Sequence, residues 1–194
     1  MAKKAEADGF DAIINGCAGD PYLDDLRAAV SIPVVGIAET ILRNARSRGK
    51  ICILDRLMPE SYSAIIPSNR PDTFDFWETK TANLGLTPDL YSLRKVRVST
   101  HPDLDSLERM TREGSKDLQD VMFQSFVDSL HDDGLRQAKA AADEDGAKAV
   151  FFACNFWSKP IAALGPNASQ FGATVINPLG SAATFAEHLV ISAA

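Results

Sequence analysis

The sequence predicts an α/β fold of two pseudo-symmetric lobes, each a parallel sheet flanked by helices, with the first lobe incomplete. Three observations predict it. Short apolar runs alternate with helical stretches along most of the 194 residues, the pattern of parallel strands joined by crossover helices. Ala5 to Cys17 lies over Ala142 to Cys154 without a gap, with Ala, Asp, Gly, Ala and Cys shared. Each copy is followed by a helical stretch and a second short strand, Ile32 to Gly36 in the first and Ala173 to Asn177 in the second.

Met1 to Asp8 reads as the last two turns of an amphipathic helix. The apolar run after Asp8-Gly9 makes 11–17 a strand, because Asp-Gly is a turn signal and the run that follows is short. Asp20 as N-cap and Pro21 at the first helical position predict a helix over 21–30. Residues 32–37 are the next strand, 39–48 a helix stopped by Gly49, and 50–54 a strand that opens the second half. The lobes are therefore expected at 1–48 and 49–179, with a closing helix over 180–194 packing back on the first. In 55–90, Pro59, Pro67, Pro71 and Pro88 break any long element, leaving one helix over 74–84. Residues 91–99 alternate apolar and basic side chains as a strand does, and His101-Pro102-Asp103 begins a loop. A long helix covers 116–145, with His131 to Gly134 as its point of interruption; strand 148–154, a helix near 159–165, strand 173–177 and helix 180–193 complete the chain. That long helix has only two turns as its counterpart in the first copy. Symmetry thus predicts that the sequence is truncated at its N-terminus.

A hydrophobic content of 45% is ordinary for a packed protein. The formal charge of −6, with scattered lysines and arginines, argues against a nucleic-acid partner. No 18-residue apolar run and no basic-then-apolar leader argue against a membrane, and three cysteines without paired spacing point to the reducing cytoplasm. Cys17, Cys52 and Cys154 form no CxxC, and with three histidines the chain offers poor material for a disulfide or a zinc site.

Two related half-domains would point Cys17 and Cys154 at a shared cleft. Each thiol precedes an expected helix start, at Asp20-Pro21 and at Ser158-Lys159-Pro160, where unpaired backbone N–H groups favour a thiolate and hold a carboxylate or a developing enolate. Inverting a carbon next to a carbonyl requires a base on one face and an acid on the other. Cys17 and Cys154 supply that pair; Ala18, Gly19, Asn155 and Phe156 are candidate substrate-binding residues. Cys52, within Ile51 to Leu54, precedes no helix and reads as core. His101, His131 and His188 read as surface residues, and Trp157 as either core or pocket wall.

At these residues the chain resembles the aspartate/glutamate/hydantoin racemase superfamily, and its hydantoin racemase branch most of all. Asp11 to Pro21 followed by Val30 to Glu39 resembles the signature Cys-x-Gly-Asp-Pro and Ile-Pro-Val-Val-Gly-Ile-x-Glu, while Glu144 to Cys154 and Val175 to Pro178 are similar to the second cysteine strand and its successor. The resemblance implies a cofactor-independent racemase or epimerase with its site between two lobes, Cys17 and Cys154 as acid and base, a small-molecule substrate and a homo-oligomer. The chain departs from the pattern in three places. The family's opening Asn-Pro-Asn loop is absent, Asp55-Arg56 stand where a threonine pair is usual, a position that by the resemblance makes Arg56 a candidate substrate-binding residue, and Asn155-Phe156-Trp157 replace small residues after the second cysteine. Competing readings are a decarboxylase or cis–trans isomerase of the same superfamily, or an inactive fragment that binds a small molecule.

Overall fold

The computed structural model describes residues 1–57, 74–98, 104–165 and 171–193. Helix α1 (Ala2–Ala7) leads into strand β1 (Ile13–Asn15); α2 (Leu23–Ala29), β2 (Val34–Gly36), α3 (Ile37–Arg43) and α4 (Ala45–Arg48) complete the first half. The second half holds β3 (Ile51–Leu57), α5 (Phe74–Asn83), β4 (Tyr91–Arg97), α6 (Leu104–Glu113) and α7 (Asp117–Ser129). It continues through a π-helical turn (Leu130–Gly134), α8 (Leu135–Asp143), β5 (Ala149–Phe152), a 3-10 turn (Asn155–Trp157), α9 (Ser158–Leu164), β6 (Thr174–Ile176) and α10 (Pro178–Ala193). β1 and β2 form one parallel pair, and the other four strands form a parallel sheet in the order β4-β3-β5-β6.

The repeated segment takes the same shape twice. Gly9 and Gly146 both have left-handed backbones, at φ 84 and 71, and each ends a helix and turns the chain into the cysteine strand. Glycine suits this position because it reaches positive φ without a Cβ clash. A C-terminal carbonyl is satisfied from just beyond each glycine, by Phe10 N–H on Ala5 O in one copy and, one residue further back, by Ala147 N–H on Ala141 O in the other.

Side chains alternate across the four-stranded sheet, and both faces are buried, as a parallel sheet requires. Ile51, Ile53, Ala149, Phe151 and Ile176 share one core with Val35, Ile37, Ile41 and Leu42 of the first half and Ala182 and Ala186 of α10. Cys52, Leu54, Val150 and Phe152 face the other core, with Leu107, Phe126, Leu130, Ala138, Trp157 and Ile161. Helix α10 packs on α3, β2 and β1.

Several elements differ from the sequence reading, each for a local reason. The helix expected over 39–48 is split at Asn44, whose side-chain amide donates to Thr40 O at 2.8 Å and competes with the helix ladder. The stretch after His101-Pro102-Asp103 holds an additional helix, α6, where only a loop was expected; those three residues lie outside the described ones, as do Pro59, Pro67 and Pro71. The expected break at His131 to Gly134 is a π-helical turn within a continuous helix. A Cβ on Gly134 would lie 2.9 Å from the Phe152 ring, so only glycine lets the turn close on the sheet. The wider turn also places Asp133 to accept the Arg97 N–H at 2.8 Å.

Strand β5 is bonded on both sides, to β3 and β6, whereas β1 is paired with β2 alone among the described residues. Backbone amides with one ladder partner open at lower cost. We expect Ile13 to Asn15 to exchange faster than Val150 to Phe152 in native-state hydrogen exchange. Equal protection of the two would contradict this.

Candidate active site at the two cysteine loops

Parallel strands direct their C-terminal ends the same way, and the loops that leave those ends are where open α/β sheets bind ligands. β1 ends at Asn15 and β5 at Phe152, so Cys17 and Cys154 stand at equivalent places two residues on. Asn155 donates its side-chain N–H to Gly16 O, joining the neighbour of one thiol to the neighbour of the other. Cys17 is among the groups that raise the Cys154 thiol.

The Cys17 loop is held from inside. Asn15 donates to Pro21 O at 2.7 Å and accepts from the Cys17 N–H at 3.4 Å, and the Asp20 N–H closes a turn on Cys17 O at 2.9 Å. Asp20 is not the N-cap of the following helix, as the sequence suggested. That helix begins at Leu23 with Tyr22 at its cap, and both Asp20 and Tyr22 have positive φ, 51 and 56. Instead the buried Asp20 carboxylate accepts the Ala38 N–H at 3.1 Å and the Glu39 N–H at 2.7 Å, capping α3. The carboxylate occupies the space over Gly36, where a Cβ would lie 2.9 Å from Asp20 Oδ2 and 2.6 Å from Leu23 Cδ2. This explains why the motif needs both an aspartate after the cysteine and a glycine before α3. Glu39, which completes the motif, pairs with Arg27 at 2.6 Å and Arg43 at 2.7 Å; those partners hold its carboxyl below the usual range against the opposing effect of burial.

Cys154 caps the 3-10 turn directly, with extended backbone at φ −151 and ψ 133. Ser158 was expected to cap α9, but it is the first residue of that helix and its hydroxyl accepts the Leu179 N–H at 3.2 Å, at the start of α10. Ser158 therefore does in the second half what Asp20 does in the first. Each reaches from the cysteine loop to the helix that follows the neighbouring strand.

The electrostatics at Cys154 also correct the sequence argument. Burial pushes its thiol up to about 11, against the lowering effects of the Phe156 N–H and the Arg56 charge, while Cys17 and Asp55 push it further up. The helix start favours a thiolate as expected, but desolvation of the charged form is larger and has the opposite sign. Arg56 is half-buried at the end of β3, next to buried Asp55, which pairs with Lys95 at 3.6 Å. Cys52 is fully buried and likewise pushed up to about 11 by burial.

Among the remaining candidates, Ala18 is buried in the core and Gly19 gives its carbonyl to Lys80 at 3.0 Å. Phe156 is exposed and stacked on Phe126 at 5.0 Å; Trp157 is core, its indole N–H donating to Ser129 Oγ at 3.1 Å. His131 and His188 are exposed, and His101 lies outside the described residues. Sequence reasoning missed Lys80 and Phe76 of α5. A Cβ on Gly19 would lie 3.5 Å from Phe76 Cζ and 3.9 Å from Cys17 Sγ, so the ring sits against the thiol loop. A groove of about 620 Å³ opens elsewhere, between α3, α4 and α10, and neither cysteine lines it. Among the described residues no group of three or more His, Cys, Asp or Glu is arranged to hold a metal, and no helix is long and apolar enough to cross a membrane.

Alkylation reads this arrangement directly, since rate follows thiolate fraction and access. Cys17 is exposed, Cys154 partly so and Cys52 buried. We expect iodoacetamide to label Cys17 first. Labelling of Cys154 should climb as pH rises towards about 11, and Cys52 should react last. Labelling of Cys52 ahead of the other two would contradict the assignment.

The family model for Asp/Glu/Hydantoin racemase matches residues 1–54, a span that holds Cys17, Asp20, Gly36 and Glu39. Among solved structures, the allantoin racemase from Klebsiella pneumoniae shares the fold with a TM-score of 0.64, at 20% identity over 99% of this chain and 64% of that one. The allantoin racemase from Pseudomonas fluorescens superposes with a TM-score of 0.59, at 21% identity over 95% of this chain and 63% of that one. An aspartate racemase homologue from Pyrococcus horikoshii gives 0.53, at 16% identity over 98% and 71%. The chain thus spans under two thirds of the length of the two allantoin racemases. No curated protein matches it by sequence. The resemblance read from the cysteine motifs is borne out by the family match over residues 1–54, and the solved structures show that the fold is shared over 99% of the chain.

Proposed function

We propose that Cys17 and Cys154 are the acid and base of a cofactor-independent racemase or epimerase that inverts a carbon next to a carbonyl in a 5-substituted hydantoin or an amino acid. The observation that carries this reading is the joining of two equivalent cysteine loops through Asn155 and Gly16. In one direction a thiolate takes the Cα proton, the C–H electron pair moves into the carbonyl, and an enolate forms. The other thiol delivers its proton to the opposite face of Cα. The two sulfurs end with protonation states exchanged, and no electrons are gained or lost.

Burial disfavours the Cys154 thiolate, so in the direction where Cys154 is the acid it starts from its favoured, protonated form. We assign backbone N–H groups at the Cys154 turn and the Arg56 charge to a substrate carboxylate or to the enolate. A decarboxylase would need one thiol only, and the matched pair favours racemisation. The hydantoin-type substrate is supported by the allantoin racemases that share the fold, and the superfamily resemblance supports a homo-oligomer.

A screen of 5-substituted hydantoins and free amino acids tests the proposal, by loss of optical rotation and by uptake of deuterium at Cα from D2O. Racemisation with concurrent deuterium uptake is the expected result. Binding without either signal across the panel would instead favour a small-molecule-binding module.

A further inference from the structure

Helix α5 belongs to the second half, yet one of its faces meets the cysteine loop of the first. Trp77 and Thr81 are buried and anchor it, and Phe76 and Lys80, also four residues apart, lie on an adjoining face. Phe76 sits against Gly19 and Cys17. Lys80 Nζ donates to Gly19 O at 3.0 Å and lies 3.2 Å from Asp20 Oδ2. The Asp20 side chain has no exposure and that of Lys80 has 18%, so the pair is largely withdrawn from solvent. The loop it grips carries two residues in the left-handed region, Asp20 and Tyr22, a conformation that persists only where the surroundings impose it.

We propose that Lys80 is a positioning residue, which fixes Cys17 opposite Cys154 by tying Gly19 O and the Asp20 carboxylate to a helix of the other half. The inference rests on the two-thiol reading above. Asp20 keeps two backbone donors without Lys80, so the α3 cap survives its loss; the Gly19 carbonyl loses its tether, and Gly19 is two residues from the thiol. Displacing a reacting group by about 1 Å costs on the order of 10²-fold in rate.

Lys80→Met and Lys80→Arg test the proposal, with exposed Lys139→Met as the control. Thermal unfolding establishes that each variant folds, mass spectrometry follows alkylation of Cys17 and Cys154 separately against pH, and racemisation gives kcat and KM. In folded Lys80→Met, Cys17 alkylation and its pH profile should change while those of Cys154 stay put. kcat should fall about tenfold or more with KM altered less than about threefold, Lys80→Arg should recover most of the loss, and Lys139→Met should match the parent. Parent-like kcat and Cys17 alkylation in folded Lys80→Met would overturn the proposal, as would parallel changes at both thiols that track a lowered Tm. Should Lys80→Met not fold, Lys80→Gln, which keeps one donor for Gly19 O, is judged by the same criteria. Full racemisation by Cys17→Ala would defeat the two-thiol reading alone, because the alkylation profile still decides whether Lys80 places Cys17.

Discussion

Replacing either Cys17 or Cys154 by alanine is expected to lower racemisation at least ~10²-fold in both directions, the contribution of a positioned acid or base. On the two-thiol proposal each serves one face of the stereocentre and neither can substitute for the other, so the double variant should be little worse than either single one. Deuterium uptake separates the roles. A variant that has lost only the proton donor for one enantiomer can still abstract and return the proton of that enantiomer on the same face, exchanging it without inversion. The pH profile carries a further sign: Cys154 must be protonated where it acts as the acid, so turnover in that direction should decline as pH approaches about 11. Stereochemical inversion at the parent rate in either alanine variant would remove the two-base mechanism.

Asp20→Ala is expected to cost about 3–5 kcal/mol of folding stability, the range for stripping one partner from a buried charge pair. It removes the acceptor for the Ala38 and Glu39 N–H groups and leaves Lys80 without its carboxylate, all in a site with no side-chain exposure on the Asp20 side. Alanine also tolerates φ 51 less well than aspartate. Asp20→Asn keeps an acceptor and a left-handed preference and should cost less. Asp24, whose side chain is fully exposed and 3.9 Å from Arg27, provides the contrast, and its alanine variant should be indistinguishable from the parent. Denaturant titration measures all three. An Asp20→Ala midpoint equal to that of Asp24→Ala would show that the cap and ion pair contribute nothing.

The parts that were legible in the sequence are those whose signals are local. The Gly9 and Gly146 turns, the apolar runs after them and the equivalence of Cys17 with Cys154 all follow from a few neighbouring residues, and the structure has them in register. Asp20 was misread because Asp-Pro is also a local helix-start signal; its actual partners, Ala38 and Glu39, lie beyond β2. Ser158 was misread for the same reason, its partner Leu179 lying beyond β6. Lys80 gave no signal, since a lysine on a helix reads as solvent-facing until the loop it touches is known. The helix start after Cys154 favours its thiolate, whereas burial opposes it more strongly, and burial is set only by the packed chain.

The shared core sets how the molecule can move. Ile41 and Leu42 of α3 lie in the same apolar cluster as Ile53 and Phe151 of the four-stranded sheet, so the halves are welded face to face where many two-lobed proteins have a hinge. Swinging them apart would expose that cluster to water at about 25 cal/mol per Å² of apolar surface, a penalty that grows with every degree of opening. On the proposed reading, entry and exit of a ligand would then rest with the loops that leave the strands and not with a hinge between the halves. The two-thiol proposal thus carries a corollary: the thiol-to-thiol spacing is set at folding and does not wait for a ligand to set it.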